Sequence, residues 1–174
     1  MIDDKPWVAI YPKTAREISH SSIKVNHLAE VVGVAARKYG ERPAVSTQLP
    51  NGACATLDFN AVDRLTSDFA VYLRDVAGLQ AGDVEAVMSP KCNGFMLAAF
   101  GIIKAGCTCT NINPLYTAPE MKHQLEDSRA RALVIIDLFS DKADAVAGAT
   151  DVQHIIRMSL TDFFPPLKQW VMGF

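Results

Sequence analysis

Long apolar runs are missing from this 174-residue sequence. The longest spans Phe95 to Ile103 and stops at Lys104. A membrane-spanning helix needs roughly 20 such residues, so no transmembrane segment is expected. The opening Met1-Ile2-Asp3-Asp4-Lys5-Pro6 carries early acids and no apolar stretch, which argues against a secretory signal. Excess charge is missing too: 17 Lys and Arg stand against 19 Asp and Glu, for a net −2. A nucleic-acid binder usually shows a basic excess or stripe, so no nucleic-acid partner is expected. Cysteine is sparse. Cys54, Cys92, Cys107 and Cys109 form no Cys-x-x-Cys pair, which favours reduced thiols in a cytosolic protein. A strand through Cys107 and Cys109 would place both on one face.

What is present is a core-forming composition: 49% hydrophobic and 21% charged residues, which excludes disorder as the main state. Residues 1–25 read as an irregular segment with Trp7, Ile10 and Tyr11 as candidate anchors. A helix is expected from an Asn26 cap to about Tyr39, ended by Gly40. Strands Ala44–Leu49 and Cys54–Phe59 flank Pro50-Asn51-Gly52, which has turn chemistry, so they form a hairpin. Asn60 is expected to cap a helix to about Val76, closed by Gly78. Strand Val84–Met88, helix Asn93–Lys104 and strand Cys107–Ile112 follow. Thr117 and Glu120 have the spacing of a capping box, opening a helix to about Ser128. Strand Ala132–Ile136, a helix over roughly Ser140–Ala147 and strand Val152–Arg157 complete an α/β subdomain spanning 26–160. The tail, 161–174, is apolar. It reads either as a core element that the chain end interrupts or as a membrane-surface segment with Lys168 and Trp170 at the interface.

From residue 84 onward strands and helices alternate with short loops, which predicts parallel βαβ units with right-handed crossovers. The strands lack clean polar alternation, as helices on both faces require. Glu85 breaks the pattern. Its carboxylate is expected at a sheet edge, in an ion pair or aimed into a cleft.

Motifs that would carry chemistry are scarce. Gly101 and Gly106 have the spacing of a P-loop, but Cys107 stands where the lysine belongs, and the glycines follow a helix rather than a strand. They read as a helix C-cap. No Gly-x-Gly-x-x-Gly follows a strand and no Gly-x-Ser-x-Gly elbow exists. None of His20, His27, His123 and His154 has metal-ligand spacing. His123, between Lys122 and Gln124, reads as solvated.

Several stretches together carry a resemblance. They are Leu57-Asp58-Phe59 before the Leu65/Phe69/Leu73 helix, Gly78-Leu79-Gln80-Ala81-Gly82-Asp83, Ala86-Val87-Met88-Ser89-Pro90, Phe100-Gly101-Ile102-Ile103-Lys104-Ala105-Gly106, and the run from Asn111 to Leu125. The chain resembles the N-terminal part of the adenylate-forming superfamily. Asn113-Pro114-Leu115-Tyr116-Thr117 and the opening Trp7, Tyr11-Pro12 and Glu17-Ile18 are most similar to its bacterial long-chain fatty acid–CoA ligases. The resemblance implies an incomplete N-terminal subdomain of that fold. It also implies a two-step reaction for the parent enzyme. A fatty acid carboxylate attacks the α-phosphate of ATP with Mg2+ present, and coenzyme A then displaces AMP from the acyl-adenylate. It further implies peripheral contact of this cytoplasmic protein with the inner face of the membrane, through a lipid-partitioning substrate; a homodimer is a further partner expectation, set by the open sheet edge rather than by the resemblance.

The family's Gly/Thr-rich loop ending in Pro-Lys-Gly, its Tyr-Gly-x-Thr-Glu motif, its ribose-binding Asp and its late Lys are absent from these 174 residues. No catalytic, cofactor-binding or metal residue is therefore carried over, and the isolated chain is expected to bind no cofactor and to be inactive. Among the matching positions, Asn113, Pro114, Tyr116 and Thr117 are the candidate cleft loop, because they follow the carboxyl end of a parallel strand. The alternative is that Pro114 and the capping box only fix the turn. The rival to the ligase reading is a non-catalytic module that self-associates through the open edge of half a sheet.

Overall fold

The computed structural model describes residues 6–13 and 25–165. Its architecture is α/β, a four-stranded parallel sheet flanked by helices with a separate antiparallel hairpin. Helix α1 spans Ala29–Tyr39. The hairpin strands are β1, Pro43–Gln48, and β2, Cys54–Asp58. Helix α2, Phe59–Val71, runs into a π turn over Tyr72–Val76. Strand β3 (Val84–Met88), helix α3 (Asn93–Lys104), strand β4 (Thr108–Ile112) and helix α4 (Ala118–Ser128) follow. Strand β5 (Ala132–Ile136), helix α5 (Ser140–Val146) and strand β6 (His154–Met158) complete the described core.

The sheet order is β4-β3-β5-β6, all parallel. Alternating side chains divide between two faces. Val87, Ala132 and Val134 pack with Leu73, Ala98 and Ile102 on the face covered by α2 and α3. Ala86, Met88, Leu133 and Ile135 pack with Met121, Leu125, Ala143 and Val146 on the face covered by α4 and α5. Strand β5 is buried along its whole length, each large aliphatic side chain contributing about 1.5–3 kcal/mol. The hairpin joins α1, α2 and α3 through Val45, Leu57, Val32, Val62 and Leu97.

Several local expectations are corrected. Asn26 caps nothing. Its backbone N–H donates to Glu30 Oε2 at 3.0 Å, and the helix starts at Ala29. Asp58, not Asn60, caps α2, accepting the Ala61 N–H at 2.7 Å. Asn60 instead donates its backbone N–H to Gly40 O. Cys107 stays out of β4 because Ile102 O takes its N–H in the C-terminal closure of α3, where Gly106 adopts φ 81°. Gly106 thus takes the closing role expected for the glycine pair, whereas Gly101 lies inside α3 against Phe69. Strand β6 begins two residues later than expected, because the Gln153 N–H is tied to Arg131 O. Trp7, Ile10 and Tyr11 are exposed around a short 3-10 turn, Pro6–Ile10. The membrane-surface reading of Lys168 and Trp170 lies outside the described residues.

Glu85 is the largest correction. The crossover from β4 returns over β3, so β3 is an interior strand. Glu85 is 0% exposed there, and among the described residues its carboxylate oxygens meet no donor stronger than the weak Cys107 thiol. Among the described residues it is neither at an edge nor ion-paired, and it lines neither the cleft nor the apolar hollow. Burial pushes its carboxyl up to about 7, against a smaller opposing effect of the neighbouring Cys107 thiol, with Asp83 adding to the rise. The physical reason the position is tolerated is neutrality: a protonated carboxyl escapes most of the cost of a buried charge. Cys107 and Cys109 share that face, as their spacing predicts. Burial pushes their thiols up to about 12 and about 11.

Candidate functional site

Strands β3 and β5 are neighbours, but their outgoing connections take opposite faces: α3 packs on the Ile102 side and α5 on the Ala143 side. Such a reversal opens a crevice beyond the carboxyl ends of the strands. A cleft of about 590 Å3 lies on its β5–β6 flank. The hairpin turn supplies Leu49, Pro50 and Asn51, the residues after β5 supply Asp137 and Leu138, and those after β6 supply Ser159, Leu160 and Thr161. The size falls in the range of small-molecule sites.

Local chain geometry occupies most of its polar groups. Asn51 Oδ1 accepts the Ala53 N–H at 3.0 Å, and Asp137 Oδ1 accepts the Leu138 N–H at 2.8 Å. The Ser159 and Thr161 hydroxyls pair at 3.2 Å. Leu138 projects from the mouth, 70% exposed. The lining therefore offers apolar walls and one carboxylate. It contains no basic side chain, a poor match for the phosphates of ATP, and no imidazole to activate a hydroxyl. Among the described residues no cluster of three His, Cys, Asp or Glu could hold a metal ion, and no helix is long and apolar enough to cross a membrane.

The four residues singled out from sequence stand together elsewhere. Asn113, Pro114, Tyr116 and Thr117 follow β4, an edge strand, and do not line the cleft. Asn113 Oδ1 accepts the Leu115 N–H at 3.0 Å, and Asn113 O accepts the Tyr116 N–H at 3.0 Å. The capping box forms. Glu120 Oε2 accepts the Thr117 N–H at 2.8 Å and its hydroxyl at 2.7 Å. The bond from the Thr117 backbone, then that from its hydroxyl, draws the Glu120 carboxyl below its ordinary range, with a further contribution from Lys142. Tyr116 borders a shallow groove with Glu120, the exposed His123, Gln124 and Asp127. The residues that sequence reasoning missed are Asp137, Leu138 and Ser159–Thr161. Only the strand order places them together, and no local motif marks them.

The AMP-binding enzyme family matches residues 33–172, and the chain belongs to that family. It is 34% identical over 171 residues to the long-chain-fatty-acid–CoA ligase of Salmonella typhimurium, covering 98% of this chain and 29% of that protein. The corresponding ligase of Bacillus subtilis is 31% identical, over 95% of this chain and 28% of its own length. The chain thus spans less than a third of the relatives it matches. The crystal structure of a long-chain-fatty-acid-CoA ligase from Archaeoglobus fulgidus superposes with TM-score 0.68 at 23% identity, over 78% of this chain and 29% of that one, a likeness of fold.

Proposed function

We propose that these residues form the N-terminal subdomain of a fatty acid–CoA ligase. The parent enzyme joins a fatty acid to coenzyme A through an acyl-adenylate, consuming ATP with Mg2+. The observation that carries the reading is the 34% identity along 98% of the chain to a protein named for that activity. The subdomain contributes the crevice end of the parallel sheet and, at its β4 edge, the Asn113–Thr117 loop. It supplies no phosphate-binding cation from the cleft, so the 174 residues alone are catalytically incompetent. Peripheral contact of the parent with a membrane follows from a substrate that partitions into lipid.

Fatty acid-dependent ATP–pyrophosphate exchange tests the reading in two samples. One is the purified chain. The other is a chimera in which residues 1–174 replace the matched segment of the Salmonella relative. The expected result is exchange by the chimera and none by the chain. An inactive but folded chimera refutes the ligase reading, and exchange by the chain alone refutes incompetence.

A second reading is favoured by one observation: an apolar hollow of about 190 Å3 beside β6, an edge strand among the described residues, bounded by Leu65, Phe69, Leu97, Val134, Ile156 and Met158. On that reading the chain is a non-catalytic module that pairs with a second copy. Light scattering that shows a monomer across a hundredfold concentration range rules it out.

A further inference from the structure

We propose that Lys142 is a positioning residue that couples the Asn113–Thr117 loop to the wall of the cleft. The inference rests on the reading of that loop as part of the ligand-handling end of the sheet. Lys142 Nζ donates to Pro114 O at 3.1 Å and to Tyr116 O at 2.6 Å. The same ammonium stands 5.0 Å from the centroid of the Phe139 ring, a cation–π contact. Lys142 belongs to α5, whose entry is the Asp137–Phe139 turn. Asp137 and Leu138 of that turn line the cleft.

The loop's internal bonds fix its shape without fixing its place. Asn113 to Leu115, Asn113 to Tyr116 and Thr117 to Glu120 each span three residues or fewer. The Lys142 bonds cross 26 and 28 residues and join consecutive βα units. An ammonium has three donors and no acceptor, so it suits a site made of two carbonyls and an aromatic face. The loop after β4 and the turn after β5 therefore move as one body, and a ligand that displaces Leu138 is felt at Tyr116.

Hydrogen–deuterium exchange on the 174-residue chain tests this without nucleotide or fatty acid. The reporters are the amides of Leu115, Tyr116 and Thr117 in the loop and of Leu138 at the cleft. Each rate is divided by the mean for Val134 and Ile135 in β5, so that global destabilisation cancels. K142M keeps an apolar stem against Phe139 and removes the donors, and K142R keeps charge and donors. In K142M all four relative rates should rise about 10-fold, the loss of a charge-assisted hydrogen bond, and K142R should restore them to within about 3-fold of the parent. Unchanged loop rates in K142M overturn the proposal. So does a loop that accelerates while Leu138 does not, or a K142R variant that behaves like K142M. Any of these leaves the ligase reading intact, whereas an inactive chimera leaves the coupling intact.

Discussion

Replacing Glu85 by Gln isolates the effect of one ionisation in the middle of the sheet. In the folded chain the carboxyl titrates near 7, against an ordinary value of 4.5. Below 4.5 both the folded and unfolded states hold the proton, and the group adds no pH dependence. Between 4.5 and 7 the unfolded chain has released its proton while the folded chain retains it, so stability falls as pH rises. Above 7 both states are ionised and the loss levels off. Each pH unit of that window is worth about 1.4 kcal/mol, giving about 3 kcal/mol lost between pH 4.5 and 7. That is a large fraction of the 5–15 kcal/mol a domain usually has. Glutamine has the same shape and does not ionise. Its amide brings an offset of its own, but that offset is constant with pH. The assay is urea unfolding of both proteins at pH 5 and pH 8. The midpoint of E85Q should rise relative to the parent by roughly 1–3 M between the two conditions. If the difference between the two proteins is the same at both pH values, Glu85 is ionised throughout, and the account of its burial as a neutral acid is wrong.

Three further outcomes are expected. In G101A the new Cβ would lie 2.6 Å from Phe69 Cδ1 and 3.2 Å from Phe69 Cβ. The crowding should cost about 1–3 kcal/mol by thermal or urea unfolding, outweighing the helix-propensity gain of about 1 kcal/mol. T47V removes the hydroxyl that accepts the Asn93 N–H at 2.7 Å at the start of α3, and should cost about 1–3 kcal/mol for the unsatisfied buried donor. A thiol titration at pH 8 should find Cys54, the exposed cysteine, fast. Cys92 and Cys107, both buried, and Cys109, with its raised pKa, should stay slow until the chain unfolds.

What could be read from the sequence was what neighbouring residues decide. The capping box depends on Thr117 and Glu120, three residues apart, and needs nothing from the rest of the chain. The strands at Val84–Met88 and Ala132–Ile136 and the helix at Asn93–Lys104 show in their apolar runs and bounding Gly, Pro and Asn. Caps were harder where two suitable residues stood close together. Asp58 and Asn60 both fit the chemistry, and the pairing of β2 with β1 through Asp58 decides between them. The strand order could not be read locally, and two findings depend on it. Glu85 became an interior residue because β5 pairs with β3 rather than β4. The cleft formed beyond β5 and β6, leaving the Asn113–Thr117 loop at the far edge.

The two faces of the sheet are unequally finished, and this bears on the choice between a subdomain and a self-associating module. On the α4–α5 face Ile155 of β6 packs against the same cluster as Leu133 and Ile135. On the other face, α3 comes close to β6 at its first turn, where Gly94 makes room: a Cβ there would stand 2.9 Å from Met158 Sδ. Past that contact Ile156 and Met158 remain half-buried beside the hollow. Interiors pack at near-crystalline density, and unfilled apolar walls forfeit dispersion contacts. A larger side chain at position 94 could not fill the space, because its Cβ would already crowd Met158. Here the glycine sets the helix against Met158 and leaves the adjoining hollow open. That geometry suits a surface that receives apolar side chains from outside the described residues. In a ligase subdomain those side chains come from later in the same polypeptide, so dye-accessible apolar surface on the 174-residue chain should disappear in the chimera. In a self-associating module it should disappear on concentrating the chain alone.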